Sequence, residues 1–402
     1  MRARRLSFRL VQLAKYSSLS QLPLAVIPRA ILAILVFAAS SCLSPADEVI
    51  RSEKASFRPE VVVEGLKNPW GMVFLPNGRL LVTERPGALR IVENGQLLPE
   101  PVKGIPEVFA VGQGGLLDIE LHPNHASNGW IYLAYSEPKP GGGMTKIVRG
   151  RLEGNTWVDQ QTIFEAPEEE YSKGGVHFGI RMEFDKDNKL FFTIGDRGDN
   201  TTPENNAQKL TNAKGKCHRI NDDGSIPVDN PFAGTPGHTA SIWTYGNRNI
   251  QGLRFDPSTG LLWASEHGPR GGDELNILSK GANYGWPVVS YGINYNGTSF
   301  TERTEAPGIT PPALQWTPSI AVAGIEFYTG NDFPGWKGNL FAAALAHQKL
   351  VRIEIAPDNT ITHQEILLEK SGRMRDVRMS PDGYLHIVYD DPGKIVRLLP
   401  ET

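Results

Sequence analysis

The sequence predicts an all-β fold, a β-propeller of six blades, on three observations. One pattern recurs six times: an apolar alternating run, a turn rich in Pro, Asp, Asn and Gly, then a second apolar run. Glycine (42) and proline (30) are abundant yet scattered between short apolar runs, as turns between strands are. No amphipathic helical period of any length interrupts the pattern.

The repeats follow in order. The first spans residues 72–83 with its turn near Pro76, and the second spans 119–135 with its turn near Pro123. The third covers 182–193 around Asp187, and the fourth covers 253–264 around Pro257. The fifth is more broken, from 325–328 to 340–344 past Pro334, and the sixth covers 377–388 around Pro381. Third strands follow several copies, at 88–92, 350–354 and 394–398. The turns are unevenly spaced, which places long insertions around 197–245 and 268–320, and long loops in a compact domain concentrate function. The body, 57–402, reads as one catalytic domain.

Charge separates the chain into two parts. Residues 1–42 hold six basic side chains and no acidic one, and the remainder carries 35 basic against 44 acidic. An acidic body repels phosphate backbones, which excludes a nucleic-acid role. Basic residues followed by the apolar stretch 30–39 and small residues mark 1–46 as an export leader, too short behind Pro28 and Arg29 for a membrane-spanning helix. Cleavage near 39–41 or near Ala46 gives a soluble periplasmic protein; lipidation of Cys42, in Ala39-Ser-Ser-Cys42, gives an anchored one. With Cys42 removed or lipidated, Cys217 has no disulfide partner and reads as a small buried hydrophobe.

Polar residues that break strand alternation gather at repeat junctions. His177, flanked by glycines in Gly174-Gly-Val-His-Phe-Gly-Ile-Arg181, has the near-neutral pKa of a general base, or else pins its loop. Asp196, at the end of the same hairpin, either fixes the tautomer of that histidine or is a turn residue. Arg248 and Asn249 offer a fork of donors and an amide to a planar or anionic ligand; a structural salt bridge is the alternative for Arg248. The Gly268-Pro269 pair exposes carbonyls near Asp273 and Glu274, oxygen ligands for a hard cation or simply a tight turn. Arg373 and Arg375 lie on one face of an extended segment, suited to a carboxylate-bearing ligand or to a solvated strand edge. Gln113 sits in Gly112-Gln-Gly-Gly-Leu-Leu-Asp118, also at a junction. A propeller brings all these junctions together around its central channel.

Gly-Gln-Gly-Gly-Leu-Leu-Asp, His-Phe-Gly-x-Arg, Thr-Ile-Gly-Asp-Arg-Gly, Gly-Asn-Arg-Asn-x-Gln-Gly, Glu-His-Gly-Pro-Arg-Gly-Gly-Asp-Glu and Arg-x-Arg-Asp-Val occur in that order from about Pro69 to Leu398. In these motifs the chain resembles the glucose/sorbosone dehydrogenase family, soluble pyrroloquinoline quinone (PQQ)-dependent aldose dehydrogenases. The resemblance implies a six-bladed propeller with PQQ over the channel and calcium beneath it. It implies that an aldose is oxidised to a lactone, with electrons leaving to an external acceptor. His177 is then the base, Asp196 its support, and Arg248 and Asn249 quinone contacts, with Arg248 also stabilising charge on the quinone oxygen. Gln113 lies near sugar and cofactor, Gly268 and Pro269 ligate calcium through their carbonyls, and Arg373 and Arg375 bind PQQ carboxylates. Glu274 and Tyr284 match positions that hold a second, structural calcium. One departure stands out: Ala346 occupies the place of a cofactor-contacting lysine, with His347 and Lys349 as the nearby substitutes. A calcium-dependent, lactonase-like hydrolase and a non-enzymatic sugar-binding propeller are the competing readings.

Overall fold

The inner strand of each blade is short, apolar and bounded by glycine or proline, so it pairs with the next strand through a tight turn and packs its faces against neighbouring blades. The computed structural model describes residues 49–401; the leader 1–46 and Cys42 lie outside them. Six antiparallel sheets form the ring. Blade one comprises Pro69–Phe74, Leu80–Glu84, Ala88–Glu93 and Gln96–Leu97, and blade two Leu116–Leu121, Ile131–Lys139, Gly142–Glu153 and Thr156–Glu165. Blade three comprises Met182–Phe184, Lys189–Ile194, Lys216–Asn221 and Ile242–Tyr245, and blade four Ile250–Phe255, Leu262–Glu266, Asp273–Ile277 and Leu314–Trp316. Blade five is Val322–Phe327, Leu340–Ala344, Lys349–Ile355 and Ile361–Glu369. Blade six is Arg373–Met379, Leu385–Asp391 and Lys394–Pro400, completed by Ser56–Glu64 from the start of the chain.

All six predicted hairpins form the inner two strands of their blades. The stretches 197–245 and 268–320, expected as insertions, also contain the outer two strands of blades three and four. Those strands were masked by buried polar residues. In Lys216–Asn221 the fully buried Lys216 donates from Nζ to the carbonyls of Asn206 (2.9 Å), Ala207 (3.1 Å) and Lys214 (2.5 Å), so a charged residue satisfies its donors inside. Cys217, beside it, is buried and unpaired. The closing strand was also unforeseen. Phe57 pairs with Pro400 and Glu64 with Lys394, so Ser56–Glu64 is the outer neighbour of the last strand and tolerates Pro59 there. Among the described residues no helix is long and apolar enough to cross a membrane.

Side chains of the inner strands meet on the axis in an ion-pair column. Arg181 Nη1 lies 3.0 Å from Asp118 Oδ1 and 3.1 Å from Asp376 Oδ2, and Arg378 Nε lies 3.0 Å from Asp376 Oδ2. Below them Arg254 Nε lies 3.1 Å from Glu326 Oε2, and Arg254 also bonds Glu183. With Glu120, five carboxylates face three guanidinium groups. Burial pushes all five carboxyls up, Glu120 to about 8 and Glu183 and Asp376 to about 7, against the pull of the arginines. The column separates two mouths of the channel.

Candidate active site

Blade three brings His177 into place. Its inner strand starts late, at Met182, because 174–181 lifts away from the sheet with His177 (φ 51°) and Ile180 (φ 62°) in the left-handed region. Such backbone costs on the order of 1–3 kcal/mol per residue and persists only where the surroundings enforce it. Two glycines allow the approach: a Cβ on Gly195 would fall 2.3 Å from the His177 carbonyl oxygen, and one on Gly179 would fall 2.7 Å from Gly195 N. The His177 amide donates to Gln113 Oε1 (2.8 Å), which ties the loop to blade two.

The imidazole of His177 places Nδ1 2.6 Å from Asp196 Oδ1. That oxygen also accepts from Gly198 N (2.9 Å), and Asp196 Oδ2 accepts from the indole Nε1 of Trp286 (2.8 Å). Burial alone would raise the Asp196 carboxyl, but the His177 hydrogen bond, the charges of His177 and Arg248 and the Gly198 amide together hold it below its ordinary value. Burial pushes His177 down, and Arg248 and Arg197 add to this, against the pull of Asp196. The ionised carboxylate can only accept, so Nδ1 carries the proton and Nε2 keeps its lone pair.

Arg248 and Asn249 follow the last strand of blade three. Their amides are clamped by Glu266 Oε1, and Glu266 Oε2 accepts from Asn247 Nδ2 (2.9 Å). Arg248 Nη1 donates to the carbonyls of His267 (3.0 Å) and Gly268 (2.6 Å), and its guanidinium lies 5.1 Å from the Trp286 ring. Asn249 Oδ1 accepts from Gly179 N (3.1 Å) and so braces the base loop.

A cavity of about 360 Å³ opens at this mouth, lined by Trp70, Gln113, His267, Arg373 and Arg375 among others. Arg85 joins them from blade one, and Asp390 is the acidic residue of the wall. Burial, then the like charges of Arg181, Arg373 and Arg85, bring Arg375 down to about 10 despite Asp390. Arg375 Nη1 is held by Gln251 Oε1 (2.9 Å), while the buried Nε–H donors of Arg375 and Arg248 have no protein partner. Buried orphan donors beside surplus positive charge fit a flat ligand bearing several carboxylates and carbonyl oxygens.

Beneath this mouth a space of about 20 Å³, the size of one water or ion, lies among Glu266, Gly268, Pro269, Glu274 and Tyr284. Burial and the neighbouring Glu266 push Glu274 up to about 8, and its hydrogen-bond partner is Asn276 Nδ2 (3.1 Å). The Tyr284 hydroxyl donates to the Ile277 carbonyl (2.5 Å) and accepts from Ser279 N (2.9 Å), so any ligand that Tyr284 offers here is its backbone oxygen. Among the described residues no three acidic, histidine or cysteine side chains converge on one point. The donor set is one of carbonyls and one unneutralised carboxylate, which fits a hard cation of the calcium type. At Gly268, however, the guanidinium of Arg248 already occupies the carbonyl.

The structure thus brings Gln113, Arg373 and Arg375 into one cavity, places the His177–Asp196 pair against it through Gln113, and sets Arg248, Gly268, Pro269, Glu274 and Tyr284 around the smaller space. Asn249 serves from behind. Ala346 sits on a turn with its amide on the Ile320 carbonyl (2.9 Å); Lys349 faces Glu369 (3.7 Å) and His347 is exposed, so neither lines the cavity. Three residues escaped the sequence reading. Arg85, in Glu84-Arg-Pro-Gly87, lies at a repeat junction like the others and was open to the same argument. His267 was hidden inside a motif read for its carbonyls, and Trp286 lies in an aperiodic stretch that gives no signal.

The glucose/sorbosone dehydrogenase family model matches residues 66–397. The aldose sugar dehydrogenase YliI of Escherichia coli is 39% identical, over 90% of this chain and 97% of its own. The crystal structure of the soluble aldose sugar dehydrogenase of Escherichia coli in the apo-form superposes with a TM-score of 0.81 at 39% identity, covering 86% of this chain and 100% of that one. The PQQ-bound form of an aldose sugar dehydrogenase from Streptomyces coelicolor superposes with a TM-score of 0.70 at 29% identity, covering 86% and 99%. The match spans the propeller from the entry of blade one to its closing blade, and the chain belongs to the glucose/sorbosone dehydrogenase family.

Proposed function

We propose that this protein is a PQQ- and calcium-dependent aldose dehydrogenase that oxidises the sugar at its anomeric carbon to the lactone and delivers the electrons to an external acceptor. The observation that carries the reading is the 2.6 Å His177–Asp196 pair, joined through Gln113 to a cavity whose arginines and orphan donors suit a polycarboxylated quinone. The PQQ-bound relative supports the cofactor assignment.

In this reading His177 Nε2 takes the proton of the anomeric hydroxyl, and Asp196 stabilises the imidazolium that forms. Arg373, Arg375 and Arg85 bind the carboxylates of the cofactor, and Arg248 sets positive charge beside its reactive carbonyls. Gln113 holds the base loop against the cofactor seat. Gly268 and Pro269 would hold calcium through their carbonyls, with Glu274 and the backbone oxygen of Tyr284 facing the same small space. Bound PQQ supplies the two-electron acceptor that no side chain can provide. The leader 1–46 is proposed to export the protein to the periplasm, soluble or anchored at Cys42.

The test is reconstitution with PQQ and calcium, followed by aldose-dependent reduction of an artificial electron acceptor. Reduction is expected, and its absence together with an unchanged PQQ absorption spectrum overturns the assignment. In His177→Ala turnover is expected to be lost while PQQ still binds.

A further inference from the structure

Trp286 is not part of any motif that defines the site, yet it is the residue that completes the partner set of Asp196. Its indole N–H donates to Asp196 Oδ2 at 2.8 Å, on the carboxylate oxygen that His177 does not use. The ring is 7% exposed, with the Arg248 guanidinium 5.1 Å from it and Phe300 packed edge-on at 5.3 Å. Its backbone is fixed on both sides: the amide donates to the Gly246 carbonyl (2.8 Å), and the carbonyl accepts from Gln208 Nε2 (2.7 Å). Gln208 comes from the long connection of blade three and Trp286 from that of blade four, so the donor to Asp196 stands on a joint between two blades.

We propose that Trp286 is a positioning residue for the base: its N–H holds the Asp196 carboxylate in the orientation that keeps the His177 proton on Nδ1. His177 and the Gly198 amide both hold Oδ1, which leaves the carboxylate free to turn about its Cβ–Cγ bond, whereas a carboxylate bonded at both oxygens cannot. The indole also takes up part of the carboxylate's charge. It thereby lowers the basicity that Asp196 lends to His177 and keeps the imidazole a free base near neutral pH. The other titratable groups facing His177 are Arg197, from the same loop as Asp196, Arg248, from the entry to blade four, and His267, which follows the second strand of blade four; Lys216, on the third strand of blade three, also faces Asp196.

Trp286→Phe keeps the ring against Arg248 and Phe300 and removes only the donor. In the full chain without cofactor, the His177 C2–H resonance is followed by NMR across pH. Its midpoint is expected to move up by about half a unit, because a carboxylate with one donor fewer binds the imidazolium more tightly. A midpoint that stays put or moves down overturns the proposal. A second measurement needs no variant: in the wild-type chain the Trp286 indole N–H resonance should titrate with the His177 midpoint, and an indole signal indifferent to that transition also overturns it. In the reconstituted enzyme, Trp286→Phe is expected to lower kcat about tenfold, with PQQ affinity and the KM for aldose within about twofold. The kinetic measurement rests on the dehydrogenase reading and the two spectroscopic ones do not. Failure of reconstitution is therefore distinguishable from failure of Trp286.

Discussion

His177 is held neutral by burial and nearby arginines while Asp196 pulls the other way. A proton affinity lowered from the ordinary imidazole value leaves Nε2 free at neutral pH. In the arginine seat, Arg375 is the most buried of three cations that meet one acidic neighbour, Asp390. Replacing it by Gln should weaken PQQ binding by about tenfold or more, as expected for a lost charge-assisted contact; fluorescence titration of the apo chain checks this. Arg85→Gln should act in the same direction. The His177–Asp196 pair was legible because both residues flank one hairpin with a glycine at hand. Trp286 was not, since a contact across 90 residues of chain leaves no trace in local pattern.

The entry loop of blade three is shaped by what it lacks. Gly195 has no side chain, and the His177 carbonyl lies where a Cβ would be. Gly195→Ala should therefore displace the base by a few tenths of an ångström or more. The expected loss in kcat is about a hundredfold, with the melting temperature changed much less than the rate; steady-state kinetics beside a thermal melt make the comparison. The six inner hairpins were readable because their faces alternate cleanly. The outer strands of blades three and four were not, because Lys216, His218 and Arg219 in blade three and Asp273 and Asn276 in blade four are buried with polar partners, and such residues read as loop. The strand Ser56–Glu64 carries Pro59, which only an outer strand tolerates. Its partner strand lies 330 residues or more along the chain.

Along the axis, five carboxylates against three arginines give the molecule a pH signature. Their folded-state affinities lie above those of an unfolded chain, so the stability they confer is complete below about pH 4, falls as pH rises from there and is fully lost by about 8. The buried histidines act on the other side. Burial drives His218 and His267 down to about 3, so below an ordinary histidine pKa protonation favours the unfolded chain. Lys216, driven by burial to about 7, opposes the alkaline loss, but it is one group against several. Between about pH 6.5 and 8 the histidine gain is complete while the carboxylate loss still runs, so thermal stability should fall across that interval and level off above it. Each fully engaged group changes it by about 1.4 kcal/mol per pH unit. Melting curves from pH 5 to 9 test this, and Glu120→Gln should flatten the fall that ends near pH 8. At the closing strand, Phe57 is buried edge-on against Trp336 at 5.4 Å, and Phe57→Ala should cost about 3–5 kcal/mol in chemical denaturation.

Because the first long strand and the last lie side by side, with the Glu401 amide on the Ser56 carbonyl at 2.9 Å, the ring has a seam whose place is set by where the chain is cut. Joining the two ends by a short linker and opening the chain elsewhere moves that seam. A cut inside another blade yields a permuted chain that still closes with a strand borrowed from its opposite end. A cut between two blades yields six complete blades with nothing interlocked, held shut by side-chain packing alone. The two kinds of permutant have the same contacts and the same site, and the difference in their unfolding rates would measure how much of the ring's persistence is topological.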